Sequence, residues 1–425
     1  MPQPAFMQKS HLRVLPVLLA LLSPALGRAQ KPEAALVTKA NTIHNQAFVL
    51  DSHEDTPINL LKPGFDLSKD HDPQEAQVDL PKMQRGGLDG AFWAVYMGQG
   101  PRTAEGNAAA KQQALTIFNG IRSTIQTHSA QLDLATTEEQ ALQIRRVGKR
   151  AIFIGMENGY PIGQDLGLLK SFYDLGVRYI TLCHSSNNDI CDSATDPNGP
   201  EHQGLSTFGK QAVAEMNRLG IMVDVSHASD STFYDVLRQS KAPIIASHSS
   251  SRALSDVPRN LSDDMLKALA RNEGVVQVNL YSPYVKTEAK TPERLAAEQA
   301  FFTKWKIKSF LNIYGLPATE QQQAQAEATK LEEQFPVPLA TVQDAANLID
   351  HMVKVAGIDH VGIGSDFDGG TRLTGLADAG EFPNLTLELV KRGYSEKDIF
   401  KIWSGNLFRV MKAVDKVRAA APAKK

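Results

Sequence analysis

Short runs of apolar, often β-branched residues recur along the chain, separated by polar, helix-prone stretches. Eight such runs cover residues 47–52, 88–96, 150–156, 177–183, 221–226, 243–247, 274–280 and 360–364. Amphipathic spacing marks helices between and after them, at 105–128, 206–219, 261–271, 340–356 and 395–415. Strands that alternate with helices predict a parallel sheet, and eight repeats predict an α/β chain closed into a (β/α)8 TIM barrel. An open doubly wound sheet is the competing arrangement. No Gly-x-Gly-x-x-Gly follows the first run, which argues against the dinucleotide-binding form of that sheet. One spacer departs from the rhythm. Residues Tyr281 to Asp359 separate the seventh and eighth runs, and Thr291–Gln334 within them is charged, Gln- and Ala-rich and helix-prone. It predicts a helical insertion at about 286–337, on the face where a barrel carries its active site, placed to lid the site and narrow the substrate range.

The ends of the chain read differently. Lys9 to Arg13 is basic, Val14 to Leu22 is apolar, and small residues follow at Ala25, Gly27 and Ala29. This is the three-part pattern of a signal peptide over residues 1–29, and it predicts export to the periplasm or medium. The apolar run is shorter than the ~20 residues a membrane span needs, so no stable membrane anchor is expected. Residues 30–45 read as a short leading segment, 30–415 as the barrel domain and 416–425 as a disordered tail. The formal charge of −2 offers nothing to nucleic acid or an anionic membrane. Two cysteines, Cys183 and Cys191, cannot make a disulfide scaffold, and free and bridged states are both open.

Candidate chemistry lies where the runs end. The first passes into His53-Glu54-Asp55, the third ends at Glu157, the fourth at His184, the fifth at His227, the sixth at His248 and the eighth at Asp366. Each residue alone is ordinary, a hydrogen-bonded histidine or a solvated carboxylate. In a parallel barrel, however, these ends converge on one mouth. Imidazoles and a shareable carboxylate are what a two-metal hydrolytic site requires. His53, Asp55, Glu157, His227 and His248 would hold two zinc ions, with Glu157 shared and a bridging hydroxide as nucleophile. His184 would donate to a developing oxyanion, and Asp366 would carry the proton from the water to the leaving amine. Arg252 or Arg259 could grip a substrate carboxylate. Strand alternation turns Glu54 away from the metals.

These stretches resemble the membrane dipeptidase (renal dipeptidase) family of binuclear zinc hydrolases. The resemblance is carried by Asp51 to Pro57, Gly155-Met156-Glu157-Asn158-Gly159, Thr181 to Ser185, Asp224 to Asp230, Ser247 to Leu254, Arg259-Asn260, Gly274 to Asn279 and Gly364 to Gly369, in the family's order over about 37–414. It implies a homodimeric barrel that hydrolyses dipeptides, often with a D-residue at the second position. It also implies His53 and Asp55 on one zinc, His227 and His248 on the other, and Glu157 across both. His184 becomes the oxyanion and substrate contact, Arg259 the carboxylate clamp, Asp366 the proton carrier and Tyr284 a further substrate contact. Ser52 and Glu54 depart from the Gly and Asn usual in the first motif. The alternatives are another binuclear-metal amide hydrolase, acting on N-acyl amino acids or β-lactams, and a secreted binding protein with a dead site. Intact ligand positions and Asp366 argue against the latter.

Overall fold

A computed structural model describes Met1, Pro2 and residues 25–420. Among them are nine strands: β1 (Val49–Glu54), β2 (Leu88–Tyr96), β3 (Leu132–Leu134), β4 (Arg150–Glu157), β5 (Val177–Thr181), β6 (Met222–Asp224), β7 (Ile245–Ser249), β8 (Val275–Val278) and β9 (Val361–Ile363). Eight pair in parallel in the order β1-β2-β4-β5-β6-β7-β8-β9, with helices between them, which is the expected (β/α)8 barrel. The unexpected β3 adds to the outside of β4. Three residues are too few to leave a periodic signal.

The barrel closes at its C-terminal rim. There the Asp55 amide donates to Phe367 O at 2.8 Å and the Asp366 amide to His53 O at 3.0 Å, joining the start of the chain to its last strand. Below this rim the interior is filled by Phe92, Phe153, Tyr179, Met222, Ile245 and Val275, with Leu407, Phe408 and Met411 in the same cluster. Strands buried on both faces read as continuous apolar runs, which is why they stood out in the sequence.

Near the rim the strands approach too closely for side chains. A Cβ on Gly364 would lie 1.9 Å from Ser247 O and 2.6 Å from Ser52 Oγ. Ser52 Oγ itself donates to Ser247 O at 2.7 Å and to Ile363 O at 3.1 Å, tying β1, β7 and β9 together. Gly364→Ala is therefore expected to lower the unfolding free energy by about 1–3 kcal/mol through overpacking against rigid backbone. Chemical denaturation at constant m-value measures it, and an unchanged midpoint would contradict this packing.

Several expectations change at the chain ends. A helix, Ala25–Gln46, runs through the expected leading segment. It buries Ala40, Ile43 and His44, whose ring nitrogens meet Thr386 Oγ1 at 2.7 Å and Gly86 O at 2.8 Å. Residues 3–24 of the expected leader lie outside the described residues. The expected tail is helical as far as Ala420, because Asn406–Ala420 buries Val410, Met411 and Val414 at helical spacing and propagates beyond them; residues 421–425 lie outside the described residues. Cys183 and Cys191 are buried free thiols. No helix among the described residues is long and apolar enough to cross a membrane.

Between β8 and the helix Val342–Ala356 stand a short helix, Ser282–Val285, and two longer ones, Pro292–Trp305 and Ala318–Gln334. The longer two share a small core of Phe301, Ile307, Ile313, Ala324 and Leu331. Buried Arg294 clamps them through Glu298 Oε1 and Glu332 Oε1, each at 2.7 Å. Asn312 and Lys308 reach Thr195 O and Pro197 O, in the loop that follows β5 and His184.

Candidate functional site

The rim strands deliver their polar residues to one point. His53 belongs to β1 and His248 to β7, and Glu157 is the last residue of β4. Asp55 follows β1 directly, while His184, His227 and Asp366 lie three residues beyond β5, β6 and β9. His227 and Asp366 hold positive φ, 67° and 64°, as does Asn158 beside Glu157, at 74°. Asn, Asp and His tolerate this region better than other side-chain-bearing residues, so the sharp turns after the strands suit the residues that occupy them.

Glu157 is the centre of the cluster. Its Oε2 faces His53 Nε2 at 3.4 Å, and its Oε1 faces His227 Nε2 at 3.0 Å and His248 Nε2 at 3.3 Å. Asp55 Oδ1 lies 4.0 Å from His53 Nε2, on the same side as Glu157 Oε2. His227 Nε2 and His248 Nε2 stand 2.9 Å apart. The five expected ligands are thus together, with the two oxygens of one carboxylate turned to different histidines. His184 and Asp366 adjoin them, at 3.8 Å from Glu157 Oε1 and from His53 Nε2 respectively. Exposure separates them from the rest: the five side chains are 0–8% exposed, His184 is 11% and Asp366 17%.

The electrostatics call for cations. Burial and the nearby Arg259 hold His227 well below its ordinary value, and burial with the charge of His53 does the same to His248, so both imidazoles are neutral. Burial alone would lower His53, but Glu157, Asp55 and Asp366 outweigh it and lift it to about 10. Burial pushes Asp366 up to about 7 against the pull of His53. His53 Nε2 and Asp55 Oδ1 are buried with no hydrogen-bond partner among the described residues. Buried polar atoms are rarely left so. Imidazole nitrogens and carboxylate oxygens that converge in a buried cluster fit divalent metal ions, whose charge would replace the proton that the carboxylates draw onto His53, and His53, Asp55, Glu157, His227 and His248 are the residues placed to hold them.

Other candidates sort by their contacts. Arg259 is buried beside His248, donating to Ser249 Oγ at 2.8 Å and His248 O at 2.7 Å, with its guanidinium 5.7 Å from the centroid of the buried Tyr284 ring. Arg252 is engaged elsewhere, by Asp230 and Pro258 O, and is not placed to clamp a substrate. Glu54 is fully buried and accepts from Trp93 Nε1 at 3.1 Å. Burial, with Asp51 and Asp368 near, holds its carboxyl well above the usual range, so the departure at this position is absorbed by the core. The sequence reading missed two supporting carboxylates. Asp51 accepts from the Ser365 amide at 2.8 Å and from Ser365 Oγ, and Asp224 from the Ser247 amide at 2.8 Å and Ser247 Oγ at 2.5 Å. Each staples its strand to the serine just before a site residue, Asp366 or His248. Two Asp residues, each two or three positions before a rim histidine, were the available signal.

Residues 37–425 match the family described as Membrane dipeptidase (Peptidase family M19). Dipeptidase verJ of Clonostachys rogersoniana is 33% identical over 380 residues, covering 87% of this chain and 84% of the relative. Dipeptidase tcpJ of Claviceps purpurea is 30% identical over 383 residues, covering 87% and 78%. Among solved structures, that of the probable dipeptidase PvdM from Pseudomonas aeruginosa superposes with a TM-score of 0.81 at 31% identity, over 90% of this chain and 99% of that one.

Proposed function

Because the chain belongs to the membrane dipeptidase family, peptidase family M19, and is on that ground a metal-dependent dipeptidase acting on small peptides, we propose that it hydrolyses free dipeptides, L,D pairs included, with two zinc ions per subunit. The observation that carries this reading is the division of Glu157 between His53 on one oxygen and His227 and His248 on the other. Two zinc ions, when bound, supply Lewis acidity and a lowered pKa for water.

The protein's own groups do the rest. Asp366, the most exposed carboxyl of the cluster, takes the proton of the attacking water and hands it to the leaving amine. His184, the most exposed and most distant histidine, donates to the carbonyl oxygen as charge grows on it. Arg259 pairs with the free carboxylate of the substrate and Tyr284 packs beside it, which selects two-residue peptides where the cleft ends. Export rests on the pattern of residues 1–29 and homodimer formation on the family resemblance, and both belong to the proposal.

The test is a screen of L,L and L,D dipeptides beside N-acyl amino acids and a β-lactam, with metal measured on the same preparation. Dipeptide turnover should vanish on chelation and return with zinc, at two ions per chain. Full turnover by stripped protein, or a preference for N-acyl amino acids, would sink the reading.

A further inference from the structure

The backbone of Asp366 is pinned on both sides. Its amide donates to His53 O at 3.0 Å, and its carbonyl accepts from Thr371 Oγ1 at 2.8 Å. The last torsion of an aspartate is nonetheless broad and roughly two-fold, so these anchors do not decide which carboxyl oxygen faces the metal cluster. Asn279, fully buried directly after β8, supplies what they lack. Its Nδ2 donates to Asp366 Oδ2 at 2.9 Å, and Asp366 Oδ1 is the oxygen turned to His53 Nε2, 3.8 Å away. We propose that Asn279 is a positioning residue that acts through Asp366, holding Oδ2 so that Oδ1 is the oxygen presented to the attacking water and the leaving amine. The inference rests on the role given to Asp366 above.

The orientation of the Asn279 amide follows from its neighbours. The Tyr281 amide, which can only donate, lies 2.6 Å from Oδ1. His248 O, which can only accept, lies 3.4 Å from Nδ2. A flipped side chain would set its NH2 against the Tyr281 N–H, and its oxygen against a carbonyl and a carboxylate. One orientation therefore satisfies all three contacts, and it is the one that donates to Asp366. The residue itself is held in register. Its backbone amide donates to Ser249 O at 3.3 Å and the Leu280 amide to Ser365 O at 3.2 Å. The end of β8 is thus tied to the end of β7 on one side and to the residue before Asp366 on the other. Tyr281 is also the N-cap of the short helix that carries Tyr284, so Asn279 touches the substrate-carboxylate end of the site as well. The test must separate these two contacts.

Asn279→Asp does so. The substitution is nearly isosteric, and its carboxylate still accepts from the Tyr281 amide but has no N–H for Asp366. A misplaced reacting group can cost about 10²-fold, so kcat for the dipeptide turned over fastest in the screen should fall by about 10- to 100-fold. KM and metal content should stay at their wild-type values. In the Asp366→Asn background the same substitution should cost nothing further, because no proton carrier is left to misplace. Asn279→Ala, carried through the same cycle, introduces no new carboxylate and should show the same loss of kcat and the same silence beside Asp366→Asn. Wild-type kcat in both single variants overturns the proposal. So does a further loss of kcat in the Asp366→Asn background, or a loss of metal, which is the mark of support given to His248 instead. A raised KM with unchanged kcat in Asn279→Asp also overturns it, since that is the mark of a role through Tyr284. Should Asp366→Asn itself turn over dipeptides like wild type, the reading of Asp366 falls and takes this inference with it. A silent Asn279→Asp beside an inactive Asp366→Asn sinks this inference alone.

Discussion

Asp366→Asn should lower kcat for dipeptides by about 10³-fold, within the range lost when a positioned acid–base group is removed, and leave metal content unchanged. The substitution is nearly isosteric. Asparagine accepts the same left-handed backbone, φ 64°, with no added strain. Asn279 Nδ2, 2.9 Å from Asp366 Oδ2, keeps an oxygen to donate to. What disappears is the capacity to take a proton from water and return it to the amine. Steady-state kinetics with metal analysis on the same sample decides the matter. Turnover above a tenth of wild type would remove Asp366 from the mechanism, and loss of one ion per chain would make it a ligand.

Glu157→Gln should act on the other half of the chemistry and cost more. The carboxylate lies where His53, His227 and His248 meet, and their attraction holds it well below the usual range although burial opposes this. Glutamine preserves the volume but not the charge, and offers one oxygen where two are used. Both ions should be lost to mild chelation, and kcat/KM should fall by more than about 10³-fold, since metal catalysis contributes several kcal/mol and each 1.36 kcal/mol is tenfold. The fold should persist, because the interior beneath the site is an independent apolar cluster. Metal analysis after dialysis, with circular dichroism as control, checks both parts. Retention of two ions by Glu157→Gln would show that Glu157 does not bridge them.

The sequence disclosed the barrel because fully buried parallel strands are apolar throughout, and it disclosed the rim because polar residues at strand ends interrupt those runs. β2 was expected at 88–96 and spans Leu88–Tyr96. Less visible were features whose cause is tertiary. His227 and His184 lie beyond regular strand, in turns held by the loop after β5, where the Ser193 hydroxyl donates to His184 O at 2.6 Å and the Ala194 amide to His227 O at 2.8 Å. Asp224 and Ser247 resembled filler within strands, because their meaning is set by which neighbours register brings alongside. The helix Ala25–Gln46 was hidden because its start overlaps the leader pattern, and the helical run to Ala420 because small and basic residues there suggested a free end. Type and spacing do not separate Arg252 from Arg259; the resemblance singled out Arg259, and the structure buries it while Arg252 pairs with Asp230.

The closing seam has a consequence for how the protein is made. His53 and Asp55 belong to the first strand, and the hydrogen bonds that hold them in place come from residues about three hundred positions later. Contacts of such separation are slow to form, because the chain must close its largest loop before they return any free energy. The side of the pocket that His53, Asp55 and Asp366 form is therefore completed only after the residues that follow the last strand have emerged, so the finished site is a late product of folding.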